Sequence, residues 1–305
     1  MILAAITTHK REPQMLERAV KSVVNQTYKD WHLLIVDDSP ADYEYRDEVK
    51  NMAEGWCARD SRITYMQHDK NYGSQRARNN ALKYALENNY EFIAYLDDDD
   101  EWLPEKLEKQ IKRFNERDEN TALVYCWSWL TINGEVREYI SDGIEKPLYE
   151  GNVYDKLLVY CWLGTCSNPL IRVKSFITAG GWDETVPARQ DWEAWLRIAK
   201  LYEVGCVGEF LLTYHLHEGE HIAGNPVTQS RGIEKIIEKN KDYLITHKYE
   251  YWQILTRLRN LYARSGQHRK SFAATFKIFS LQPLRLRKNF RVMLSSIYRW
   301  LKDII

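Results

Sequence analysis

The sequence has 305 residues, 44% of them apolar and 28% charged. This balance suits a folded chain with a substantial core and excludes a disordered or low-complexity one. Its 43 basic and 43 acidic side chains cancel, but residues 247–305 hold 13 Lys/Arg against 2 Asp/Glu, a net of +11 that leaves −11 on residues 1–246.

In chain order, residues 2–7 (ILAAIT) are an apolar strand-compatible run, and 14–25 carry Leu16, Ala19, Val20, Val23 and Val24 at helical spacing. Residues 31–36 (WHLLIV) predict a second strand, stopped by Asp37-Asp38-Ser39-Pro40. A helix over 43–58, a strand at 62–66, a helix over 74–88 and a strand at 91–96 follow. Strands alternating with helices imply βαβ units, hence an α/β fold with a mainly parallel central sheet and helices on both faces. The pattern continues with a helix over 104–117, Pro104 at its start, and a strand over 121–132. The turn-rich residues 133–151 are expected to run over the active face. A helix over 152–160, a strand at 167–172, a turn at 180–183, a helix over 191–201 and a strand over 204–214 complete this part. Beyond residue 247 the spacing predicts three helices, over 251–262, 272–281 and 290–304.

The charge division sets the expected domain boundary, with 1–246 as the larger domain and 247–305 as a basic helical extension. No run approaches the roughly 18 apolar residues of a membrane span, and the opening MILAAITTHKR lacks the length and positive flank of a secretory leader. Cys57, Cys126, Cys161, Cys166 and Cys206 form no CxxC pair, which suits reduced thiols and offers little to zinc. A cytoplasmic location is expected. The amphipathic, cationic last helix suits peripheral contact with an anionic membrane face, and packing back or homodimer formation is the plainer alternative. An acidic larger domain without a recognition motif argues against nucleic acid as a partner.

The most informative segment is Asp97-Asp98-Asp99-Asp100, placed directly after the apolar strand at 91–96. Adjacent carboxylates oppose one another's ionisation, and the carboxyl end of a parallel strand is where α/β sheets bind ligands. A hard divalent cation, Mn2+ or Mg2+, together with the phosphates it bridges, would relieve that repulsion. Asp100 is expected instead to cap the helix near Pro104. Asp37-Asp38 ends the second strand on the same edge, suited either to a base N–H or to an Asx turn before Pro40. Thr7-Thr8-His9-Lys10-Arg11 leads from the first strand into a helix, where hydroxyls and cations suit a nucleotide, and no GxGxxG or P-loop is present.

These segments resemble the inverting glycosyltransferase family 2. The similarity runs over residues 1–220: AAITTHKREPQMLERAVKSVVNQTYKDWHLLIVDDS, Asn71-Tyr72-Gly73 with Arg76-Ala77-Arg78-Asn79, Tyr95 to Trp102, Gly180-Gly181-Trp182-Asp183-Glu184, and Gln190-Asp191-Trp192-Glu193. The resemblance implies a GT-A (nucleotide-diphospho-sugar transferase) fold over residues 1–246, with a nucleotide-binding half (1–100) and an acceptor-side half (101–246), and a metal-dependent transfer from a nucleotide-sugar. Asp38 beside the base site points to a UDP-sugar as donor, and a membrane contact of the basic extension would point to a lipid-linked glycan, rather than another saccharide, as acceptor. The resemblance also implies nucleoside contacts from Thr7, His9 and Asp38, with Arg11 in the same loop. Arg76 or Arg78 would lie near the base or diphosphate, and Asp98 near the ribose, with Asp97 in support. Asp99 is the implied metal ligand, His217 lies nearest to the family's histidine beside the diphosphate, and Asp191 is the implied general base. The usual Pro-Thr-Tyr-Asn-Arg loop is Thr7-Thr8-His9-Lys10-Arg11 here, and Phe in the Gly-Gly element is Trp182. Trp182 and Trp162 are put forward as acceptor platforms. Two other readings of the carboxylates are a nucleotidyltransferase, which would want a glycine-rich basic loop near the N-terminus, and a non-enzymatic sugar-nucleotide-binding protein.

Overall fold

Strands β1 (Ile2–Thr8) and β2 (Trp31–Asp37) are almost wholly buried, as expected for interior strands of a parallel sheet covered on both faces. Between them α1 (Pro13–Val24) takes Pro13 into its first turn, where no backbone N–H is missed, and buries Leu16, Ala19, Val20 and Val23 against the sheet. Helix α2 (Arg46–Arg59), β3 (Ile63–Gln67), α3 (Ser74–Glu87) and β4 (Phe92–Asp97) repeat the unit. Each helical crossover returns the chain in the same direction, so β3, β2, β1 and β4 are all parallel neighbours. A computed structural model gives this architecture and describes residues 1–139, 143, 146–216, 225–281 and 294.

After β4 the sheet becomes mixed, which corrects the mainly parallel expectation. Strand β5 (Glu101–Trp102) follows a tight turn, and α4 (Lys106–Asn115) begins two residues after Pro104. Strand β6 (Thr121–Ile132) and β7 (Glu135–Glu138) are joined only by Asn133 and Gly134, a link too short for anything but an antiparallel pair. The hairpin thus occupies part of the expected excursion over 133–151. Helix α5 (Tyr154–Val159), β8 (Leu170–Arg172), α6 (Val173–Thr178), α7 (Gln190–Leu201) and β9 (Glu203–Leu216) follow. The nine strands run β3-β2-β1-β4-β8-β6-β9-β5, with β7 paired to β6. β8 is antiparallel to β4 and β6, β9 is parallel to β6, and β5 is antiparallel to β9.

The chain divides into two compact units. The first holds residues 1–157, 161–184 and 194–218, and with them the whole sheet. The second holds 158–160, 185–193 and the chain from 219 onward. It includes α8 (Pro226–Lys239), α9 (Lys241–Thr246), α10 (Lys248–Arg264) and α11 (His268–Leu281). The charge boundary at 246/247 therefore separates helices that group together. The helix expected over 290–304 lies, apart from residue 294, outside the described residues.

Candidate active site

The register of the parallel strands builds the site's floor. Thr7 lies opposite Asp97, and Thr8 lies opposite Asp37, so β1, β2 and β4 end on one edge. Just past that edge the Asp100 N–H donates to the Asp97 carbonyl at 3.0 Å, turning the chain so that four carboxylates occupy one bend. Their environments differ. Arg78 Nη2 donates to Asp97 Oδ1 at 2.7 Å, and the Cys166 thiol donates to the same oxygen at 3.1 Å. Arg11 bridges the next two, with Nε 2.8 Å from Asp98 Oδ1 and Nη2 2.9 Å from Asp99 Oδ2. Arg18 reaches from α1 to the Asp99 carbonyl at 2.5 Å.

Burial decides the ionisation of two of the four. It pushes Asp98 up to about 6, the attraction of Arg11 offsetting it only in part. Asp100 is completely buried, and that burial together with Asp97 and Asp99 drives it well above the usual carboxylate range. Its partners are the Ser167 hydroxyl at 2.7 Å and the His215 N–H at 3.4 Å. Asp100 is thus no helix cap. Residues Glu101 and Trp102 are drawn into β5 and move the start of α4 away from it. Burial works against the charge on Arg11, but Asp98 and Asp99 outweigh it and raise its pKa.

The acidic pair on β2 splits its tasks. Asp37 Oδ1 accepts the Ser39 N–H at 2.9 Å, the Asx turn before Pro40, while Oδ2 accepts Tyr65 and Gln67. Asp38 Oδ1 accepts His68 Nδ1–H at 2.7 Å and the Tyr72 N–H at 2.8 Å, and Oδ2 accepts the Gly73 N–H at 2.7 Å. Gly73 has φ +94°, a conformation that explains the glycine of Asn71-Tyr72-Gly73. His9 is exposed, its Nδ1–H on the Asp38 carbonyl at 3.0 Å and its backbone N–H 3.4 Å from Asp98 Oδ2.

Thr7, His9, Arg11, Asp38, Arg78, Asp97, Asp98 and Asp99 therefore gather around one edge. Arg76 instead pairs with Glu184 at 3.4 Å on the surface. Asp191 belongs to the second unit, in the first turn of α7, where Oδ1 accepts the Trp192 N–H at 2.7 Å. Its neighbour Glu193 is 2% exposed and pairs with Lys239 at 2.6 Å. His217 lies outside the described residues. Among those residues no group of three or more His, Cys, Asp or Glu is arranged to hold a metal ion.

Residues 4–177 match the family model described as glycosyl transferase family 2. The chain belongs to this family. It is a glycosyltransferase, as similarity to curated relatives also indicates. An uncharacterized glycosyltransferase of Methanocaldococcus jannaschii is 26% identical over 265 residues, covering 83% of this chain and 84% of that protein. The Escherichia coli UDP-Glc:alpha-D-GlcNAc-diphosphoundecaprenol beta-1,3-glucosyltransferase WfgD is 30% identical over 186 residues, 61% of this chain and 64% of that one. The solved mannosyltransferase PcManGT of Pyrobaculum calidifontis, in complex with GDP-Man and Mn2+, superposes with a TM-score of 0.60 at 14% identity. That match covers 99% of this chain and 86% of PcManGT, and the fold is GT-A-like.

Two expectations about the family 2 site change. Trp182 and Trp162 are 2% and 3% exposed. Trp182 packs on Tyr95, Phe176 and Trp195, and Trp162 on Tyr125 and Tyr149, so both are core and offer no face to an acceptor. Conversely, Arg18, Cys166 and Ser167 touch the aspartate bend without having been singled out for it. Only tertiary structure brings them there, from α1 and from the loop before β8.

Proposed function

We propose that this family 2 enzyme transfers a sugar from a UDP-sugar to a hydroxyl of a saccharide or lipid-linked glycan, with inversion at the sugar carbon. The observation that carries the proposal is the bend at Asp97–Asp100, set at the carboxyl ends of β4, β1 and β2 beside Asp38 and Arg11. The name of the relative WfgD, a glucosyltransferase using UDP-Glc and a diphosphoundecaprenol-linked acceptor, supports the donor and acceptor class.

The donor set fits a hard cation. At the bend it is carboxylate oxygen, which suits Mg2+ or Mn2+ completed by substrate phosphates. Asp99 would hold the ion, with Asp97 in support, and the ion would neutralise charge on the departing diphosphate. Arg11 and Arg78 are cations at the same bend and add to that neutralisation. Asp98 is buried and takes a hydrogen bond from Arg11, which suits a carboxylate presented to the ribose. In this reading Asp191 removes the proton from the acceptor hydroxyl as its oxygen attacks, a single displacement that inverts the carbon. Glu193, buried against Lys239, is the poorer candidate for that role.

Donor hydrolysis measured with UDP-, GDP- and dTDP-sugars, with and without chelator, tests the donor half. Turnover should require the ion and favour the UDP-sugars, and an Asp99→Ala protein should be inactive. Full activity of Asp99→Ala in chelator overturns it. Asp191→Asn tests the other half: near-normal UDP affinity with transfer slowed by on the order of 10²–10⁴. Parental transfer across pH 6 to 9 would remove Asp191 from the reaction.

A further inference from the structure

Asp38 takes up most of its hydrogen-bonding capacity within its own unit. A carboxylate offers about four acceptor positions, and three are filled: His68 Nδ1–H and the Tyr72 N–H on Oδ1, and the Gly73 N–H on Oδ2. One position on Oδ2 remains. The His68 bond differs from the other two in being set by a second side chain. Asn80 Nδ2 lies 2.8 Å from His68 Nε2. A carboxylate can only accept, so Nδ1 carries the proton, and in the neutral ring Nε2 then accepts from the Asn80 amide. His68 is 8% exposed and Asp38 2%, so water does little to replace either bond. The Tyr72 ring and the imidazole meet edge to face, with centroids 5.4 Å apart and planes at 87°.

We infer that His68, held by Asn80, is a positioning residue for the donor base: it fixes the Asp38 carboxylate so that its remaining acceptor position meets a base presenting a single N–H. The inference rests on the proposal that Asp38 faces the nucleobase. A uracil ring has one such donor, N3–H, and the fixed carboxylate meets it without first giving up rotational freedom. Without the Nδ1–H bond, Asp38 would keep its contacts to Tyr72 and Gly73 but lose the side-chain brace on Oδ1. Asn80 and His68 act on the base only through Asp38.

Calorimetry on the full chain with manganese, comparing UDP with its N3-methyl analogue, isolates the base contact. The native protein should prefer UDP by on the order of tenfold, the worth of one hydrogen bond to a charged group. His68→Phe keeps the ring's bulk but removes the donor, and the preference should shrink to about threefold or less. His68→Asn places an amide N–H near the Nδ1 position and should restore it. Pyrophosphate affinity should be the same in all three, which a general structural defect would not allow. If the native protein shows no preference, the placement of Asp38 on the base fails. If it does and His68→Phe keeps the full preference, the role of His68 fails. Should His68→Phe not fold, Asn80→Ala serves instead. Loss of about threefold or more in preference supports the chain of bonds, and an unchanged preference overturns it.

Discussion

Lys106 is completely buried on α4, its ammonium donating to Gln110 Oε1 at 2.8 Å and lying 4.4 Å from the centroid of the Trp102 ring. Burial lowers its pKa from 10.5 to about 8. Between those values the unfolded chain holds a proton that the folded chain has released, so this group's contribution to stability rises with pH across that window. Below it the buried charge is a constant cost, on the order of 1–3 kcal/mol. Lys106→Met abolishes the titration but leaves Gln110 Oε1 without its donor, so the absolute change is small. Its pH dependence is the decisive part. The melting temperature of Lys106→Met relative to the parent should be highest near pH 7 and fall steadily towards pH 10. A constant difference over that range would mean that Lys106 keeps an ordinary pKa. The aspartate bend follows the same logic of burial, which raises Asp98 and Asp100.

At the scale of elements, α3 is tied to the turn after α6 by one side chain. Asn79 Oδ1 accepts the Trp182 N–H at 2.9 Å, and its Nδ2 donates to the Trp182 carbonyl at 2.9 Å and to Glu184 Oε1 at 3.1 Å. Gly181 makes room for this clamp. It has φ +62°, and an added Cβ would lie 3.0 Å from Asn79 Oδ1 and 3.2 Å from Leu82 Cδ2. Gly181→Ala should therefore cost about 1–3 kcal/mol by strain and displacement of the amide. Asn79→Ala should cost a similar amount by stranding a backbone pair. Because both changes break the same clamp, urea unfolding of the double variant should show less than the sum. Full additivity would show that the two residues act independently. This clamp also marks where the sequence stops being legible. Long apolar runs and helical periodicity predict β1, β2, β4, β6, α1, α3 and α10, and the spacing of Asp97–Asp100 after β4 locates the bend. The two-residue β5 and the six-residue α6 carry no period to detect. Strand direction beyond β4 depends on connection length, not on residue type. The burial of Trp182 is a tertiary fact, and the partners of the Asp100 side chain and the approach of Cys166 to Asp97 come from more than sixty positions away.

At the scale of the molecule, the +11 carried by residues 247–305 falls on two stretches, 247–281 and 282–305. Helices α10 and α11 are structural in the second unit. Tyr262 donates to Glu234 on α8 at 2.6 Å, Lys270 reaches the same oxygen at 2.9 Å, and Gln267 bonds Ser230 at 3.2 Å. Ile233 and Ile236 on α8 are wholly buried. Cutting the chain at 246 would remove these partners and confound any binding measurement with damage to the unit. Residues 282–305 are a separate case: Arg285, Arg287, Lys288, Arg291, Arg299 and Lys302 stand against Asp303 alone. Among the described residues no helix is long and apolar enough to cross a membrane. The six basic side chains make charge attraction to an anionic surface the contact we propose for this segment, at about 1 kcal/mol per basic side chain close to the lipid. A chain ending at residue 281 should keep the parental melting curve and donor turnover. Its co-sedimentation with vesicles rich in anionic lipid should drop sharply, and the parent's should weaken as salt rises from about 0.05 to 0.5 M, where screening shortens the reach of the charges. Equal sedimentation of the two chains would show that residues 282–305 are not the lipid contact. Parental sedimentation that ignores salt would show that the contact is not electrostatic.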